Sequence, residues 1–118
     1  YTQSTNLKQN TGFDMSVLKQ INGLTTRQHK VWAVDHDAKY GNPPSITVMV
    51  YGLGISIFTL ENVAGWRLKS VSSSSMYSAV EWDTDSIWPS SETGAYDLAT
   101  YCLKGISEID NFLREQRA

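Results

Sequence analysis

The stretch ITVMVYGLGISIFTL, residues 46–60, decides the fold of this chain. Read as two β-strands, it is apolar on both faces. In its first half Ile46, Val48 and Val50 point one way while Met49 and Tyr51 point the other. In its second half Ile55 and Ile57 oppose Phe58 and Leu60. A sheet with central strands of this kind must be covered twice. A single helix can cover one side, so a second covering layer is expected.

Working outward, the strands are expected at about 45–51 and 54–61, with Gly52-Leu53-Gly54 as a tight turn or a bulge between them. Upstream, His29 to Tyr40 reads as a strand with Trp32, Val34 and Ala38 on its more apolar face. It ends at Gly41-Asn42-Pro43-Pro44, where two prolines forbid ladder bonds. A short helix precedes it, with Asp14 as N-cap, Met15, Leu18 and Ile21 on one stripe, and Gly23 as its stop. Phe13 and Leu18 have the spacing of a hydrophobic staple. Residues 1–12 are polar and read as a loose arm.

Downstream, Trp66 to Val71 forms a fourth strand with Trp66 and Leu68 on one face. The serine-rich tract Ser70–Ser78 reads as an exposed hairpin loop. A fifth strand at about 76–83 sets Met76, Val80 and Trp82 inward against Tyr77, Glu81 and Asp83. The last element is a helix from about 93 to 116. Ala95, Leu98, Cys102, Ile106, Ile109 and Leu113 recur at helical spacing, with Asp97, Lys104, Glu108 and Glu115 away from that stripe and Lys104–Glu108 and Asp110–Arg114 as four-residue charge pairs. Gly105 would let this helix approach the sheet closely. The fold class is therefore α+β: a short helix, a mostly antiparallel sheet of about five strands, and a long C-terminal helix across one face. One domain over 1–118 is expected.

Composition narrows the function classes. The ten Lys and Arg against twelve Asp and Glu give a net charge of −2, and the basic residues are scattered. Both facts argue against a nucleic-acid partner. The acids concentrate instead: Glu81, Asp83, Asp85, Glu92 and Asp97 fall in a span free of Lys and Arg. Cys102 is the only cysteine, which rules out an internal disulfide and tilts the expected compartment towards the cytoplasm. The 46–60 run is too short for a membrane span. No nucleophile elbow, HExxH or paired-cysteine motif occurs, so no cofactor is expected.

Several constellations could carry chemistry. Asp35-His36-Asp37 places two carboxylates on one strand face and His36 on the other. Were the first and last strands neighbours, Asp35 and Asp37 could meet Glu81 and Asp83 in a hard-cation site; a solvated strand face is the alternative. His36 with Cys102 could form a thiol–imidazole pair, although a cysteine in mid-stripe is expected to be inert. Asp83-Thr84-Asp85-Ser86 has the alternating acids of a calcium loop without its glycine or distant glutamate. Gly52-Leu53-Gly54 lacks the rest of a phosphate loop. Trp66, Trp82 and Trp88 could stack a flat ligand while Arg67 or Arg114 meets an anion; core packing is the competing role.

Three functional readings follow. The first is a non-enzymatic binding or adaptor protein, a homodimer or protein-bound, using Met49, Tyr51, Phe58, Leu60, Tyr77 and Ala79 as an outward apolar patch. In the competing arrangement the first helix covers that patch. The second reading is a small-molecule binder with an aromatic cup lined by Trp32, His36, Trp66 and Trp82, with Trp88 at its mouth. The third is a small cation-dependent enzyme using Asp35, Asp37 or Glu81.

Overall fold

The computed structural model describes residues 15–36 and 41–117. Helix α1 spans Met15–Asn22, followed by strands β1 (Lys30–His36), β2 (Ser45–Tyr51), β3 (Ile55–Asn62) and β4 (Trp66–Ser73). A 3-10 turn at Ser75–Tyr77 and the long helix α2 (Glu92–Arg117) complete the chain. The molecule is α+β. Its strands form one antiparallel meander in the order β1-β2-β3-β4, as expected when successive strands are joined by short turns. The sequence-based expectations at Phe13, Asp14, Asp37 and Ala38 lie outside the described residues.

Both helices pack on the same side of the sheet. Val17, Leu18 and Ile21 of α1 share one core with Val31 and Ala33 of β1, Ile46, Val48 and Val50 of β2, and Phe58 and Leu60 of β3. Trp66 and Leu68 of β4, Tyr77 of the 3-10 turn, and Ala95, Leu98, Ala99, Cys102 and Ile106 of α2 complete it. The stripe read along α2 is thus the face that meets the sheet. The arrangement in which α1 covers the opposite sheet face is not adopted.

Two expectations are corrected. Residues 76–83 form no strand: a 3-10 turn is followed by a further turn and then by chain without a ladder partner. That segment runs across the core instead of beside the sheet, because Trp82 lies edge-on to Phe58 with ring centroids 4.9 Å apart. Gly105 of α2 makes the space, since a Cβ there would come within 2.7 Å of the Trp82 ring. The glycine thus admits an indole, where a closer approach of helix to sheet was expected. The second correction concerns β1. Val31 and Ala33 face the helices, while Trp32 and Val34 point away from them. Small Ala33 fits beneath α1 where an indole would not.

The serine tract also divides. Ser70, Ser72 and Ser73 belong to β4, which pairs with β3 around an irregularity at Thr59/Leu60.

Candidate functional site

Among the described residues, the sheet face opposite the helices carries a group of exposed large apolar side chains. Cross-strand pairing lays it out in rows. Lys30, Tyr51 and Ile55 form the first; Trp32, Met49, Ile57 and Ser72 the second. Val34, Thr47, Thr59 and Ser70 form the third, and His36, Ser45, Glu61 and Arg67 the fourth. Trp32 is 47% exposed, Ile55 48%, Tyr51 40%, Ile57 37% and Val34 36%, with Met49 half-buried. No described helix or strand lies against these side chains. Isolated exposed apolar residues are ordinary; a contiguous set on one face is not.

The face is graded in two directions. Along the strands it runs from apolar to polar. At the polar end Glu61 meets Arg67 at 3.6 Å and Lys69 at 3.8 Å, and His36 Nε2 lies 2.9 Å from Thr47 Oγ1. Across the strands it runs from bulky to small, from Trp32 on β1 to Ser72 on β4. Lys30, Trp32, Met49 and Tyr51 enclose an open hollow of about 380 Å³ at the apolar end.

Only two of the six residues of the outward patch expected from the sequence are on this face. Met49 and Tyr51 are there, but Phe58, Leu60 and Tyr77 are buried in the core and Ala79 sits in the turn beyond. The reason is parity. A three-residue turn, Gly52–Gly54, joins β2 to β3, so Met49 pairs with Ile57 and Val48 with Phe58. Residues of equal parity therefore share a face, and Ile55 and Ile57 replace Phe58 and Leu60.

The aromatic cup is divided by the sheet. Trp32 and His36 stand on the uncovered face, while Trp66 is buried on the other side. Trp82 and Trp88 are half-buried, Trp82 edge-on to Tyr101 and Trp88 hydrogen-bonded through its backbone to Trp66. The candidate metal acids are separated as well. Asp35 is on β1, whereas Glu81 and Asp83 lie in the segment after β4 that forms no strand, so the neighbouring first and last strands that would unite them do not exist. Asp37 lies outside the described residues. Among the described residues no group of three or more His, Cys, Asp or Glu could hold a metal ion. Asp83 instead closes a turn. Its carboxylate accepts bonds from the Ser86 hydroxyl and from the Asp85 and Ser86 amides, which lower its pKa. Cys102 is buried in the core, where desolvation raises its thiol pKa far above the ordinary value. It faces away from His36 and makes no dyad.

One polar cluster escaped the sequence reading. Asp110, fully buried, accepts a bond from His29 Nε2 at 2.6 Å and another from the Tyr77 hydroxyl at 2.8 Å. The Leu53 amide adds a third at 3.3 Å, and the Gly54 amide donates to the Tyr77 oxygen at 2.9 Å. Burial, and then the Asp110 carboxylate it donates to, push the Tyr77 phenol up to about 12. These bonds fasten α2 to the β2–β3 turn and to the loop before β1. The cluster acts as a brace. In place of the Asp110–Arg114 charge pair expected from spacing, Asp110 makes a buried bond to a histidine far away in sequence. Only the isolated polar residue on the helix face next to Ile106 and Ile109 could have signalled it.

Among the described residues no helix is long and apolar enough to cross a membrane. No protein-family model matches the chain, and no curated protein and no solved structure matches it, so its geometry alone speaks to what it does.

Proposed function

We propose that this chain is a non-enzymatic binding or adaptor protein that works as a homodimer through its uncovered sheet face. The observation that supports this reading is the contiguous set Trp32, Val34, Met49, Tyr51, Ile55 and Ile57, against which no described element packs. A second copy fits the dimensions. Four strands of about seven residues make a face of roughly 19 by 23 Å. Two such pleated faces together bury on the order of 1,000 Å², where specific interfaces begin. Face-to-face packing also converts a half-covered sheet into a sandwich with both sides dry.

Ile57→Glu tests the reading. The side chain is on the uncovered face, so the charge leaves the core intact, whereas Phe58→Glu would bury a carboxylate and unfold the chain. Sedimentation equilibrium at micromolar concentration is expected to give a dimer for the wild type and a folded monomer for Ile57→Glu. A wild-type monomer over that range overturns the homodimer.

A second reading rests on the hollow formed by Lys30, Trp32, Met49 and Tyr51. Two aromatic rings beside an ammonium suit a flat anionic small molecule. Thermal stabilisation of a monomeric wild type by such a ligand, lost in Trp32→Ala, would favour it over the dimer.

A further inference from the structure

The size gradient across the uncovered face specifies how two copies meet. Resting on the homodimer reading, we infer that the twofold axis lies between the sheets and runs along the strands, setting β1 of one protomer over β4 of its partner. Each row then meets itself reversed. Trp32 falls opposite a serine at position 72, Met49 opposite an isoleucine at position 57, Val34 opposite a serine at position 70, and Thr47 opposite a threonine at position 59. Large side chains meet small ones at both edges and intermediate ones meet at the centre, which fills the space between sheets evenly. Val71 packs towards the core, which leaves Ser70 and Ser72 on the uncovered side to receive the indole.

The polarity gradient agrees. An axis along the strands keeps every row at its own height, so apolar rows meet apolar rows. His36, Ser45, Glu61 and Arg67 then stay together at one rim, where water reaches the ion pairs of Glu61. The alternative axis, in the same plane but across the strands, places β1 on β1 and β4 on β4. Trp32 would then press on Val34 at one edge while serines faced serines across a gap at the other. Tyr51 and Ile55 would cover Ser45 and Glu61, removing a carboxylate from water. Aligned sheets pack rotated by about 30°. At an edge strand roughly 7 Å from the centre this displaces a residue by about one position. Trp32 still lands beside Ser72.

Two variants read the arrangement directly. Trp32→Ser leaves a hole opposite each serine, and Ser72→Trp sets two indoles against each other, so each alone is expected to weaken the dimer at least tenfold. Both positions are exposed in the protomer, and circular dichroism confirms that each variant folds. Mixed in equal amounts, the variants are expected to recover wild-type affinity as a heterodimer, because both contacts then pair an indole with a serine. The double variant Trp32→Ser/Ser72→Trp is expected to recover it as a homodimer. A dimeric wild type that Ile57→Glu dissociates, with no recovery on mixing, overturns the strand-parallel axis and leaves the homodimer standing. A monomeric wild type overturns both and assigns the face to another occupant, a small molecule or a different protein.

Discussion

Asp110 ties three separate parts of the chain to helix α2. Its carboxylate accepts from His29, Tyr77 and the Leu53 amide, and Gly52 leaves the room it needs: a Cβ there would overlap the carboxylate and sit 2.8 Å from the His29 ring. Asp110→Ala strands three buried donors and is expected to cost about 3–5 kcal/mol. Gly52→Ala overpacks the same point and is expected to cost about 1–3 kcal/mol. Urea midpoints of the single and double variants should show the combined loss falling well short of the sum, since both remove one network. Tyr77 adds a pH signature. Its phenol is raised from 10.0 to about 12 in the folded chain, so the native state holds a proton that the unfolded state releases. The contribution is complete below pH 10 and is lost as pH rises towards 12. Wild type should therefore lose stability relative to Tyr77→Phe across that window. None of this was legible from spacing, because His29 and Asp110 are 81 residues apart and only the folded topology joins them.

At the scale of elements, edges explain what periodicity could not. The outer edge of β1 is closed by side chains. Asn22 Oδ1 accepts the Ala33 amide at 2.7 Å, and Thr25 Oγ1 accepts the Val31 amide at 2.9 Å while its hydroxyl donates to the Val31 carbonyl. The end of α1 and its following loop thus do the work of another strand. Asn22→Ala is expected to cost about 1–3 kcal/mol. It should also speed hydrogen exchange at the Ala33 amide with little change in the β2–β3 ladder, which amide exchange read by NMR resolves. Strands β2 and β3 and helix α2 were legible because their apolar periodicities of two and about three to four match their burial. The direction of β1 was not. An indole is ordinarily an inside residue, and only the demand for a small side chain beneath α1 turns Ala33 in and Trp32 out. The supposed fifth strand failed for a related reason. Its alternation holds for Val80 and Trp82, which pack on the core, but Tyr77 is drawn inward by its bond to Asp110 while Met76 is exposed.

For the whole molecule, the excess of apolar surface on 46–60 was legible before any coordinates, but which residues form it depended on the length of one turn. That surface now has a thermodynamic consequence. If burial of the uncovered face is coupled to folding, the unfolding equilibrium runs from one dimer to two chains, and mass action makes the melting temperature depend on protein concentration. A hundredfold increase stabilises the dimer by about 2.7 kcal/mol. Shared between two chains, each near the size for which 1 kcal/mol moves the midpoint by about 4–8 °C, this is a rise of roughly 5–10 °C. Ile57→Glu should melt at one temperature throughout that range, below the wild type at its highest concentration. Added salt should change the wild-type dependence little, because the rows that meet inside the interface hold no ion pair and those of Glu61 remain at the wet rim. A wild-type melting temperature that is flat with concentration, alongside an equally flat Ile57→Glu, would mean that the face stays open or is filled by something other than a second copy.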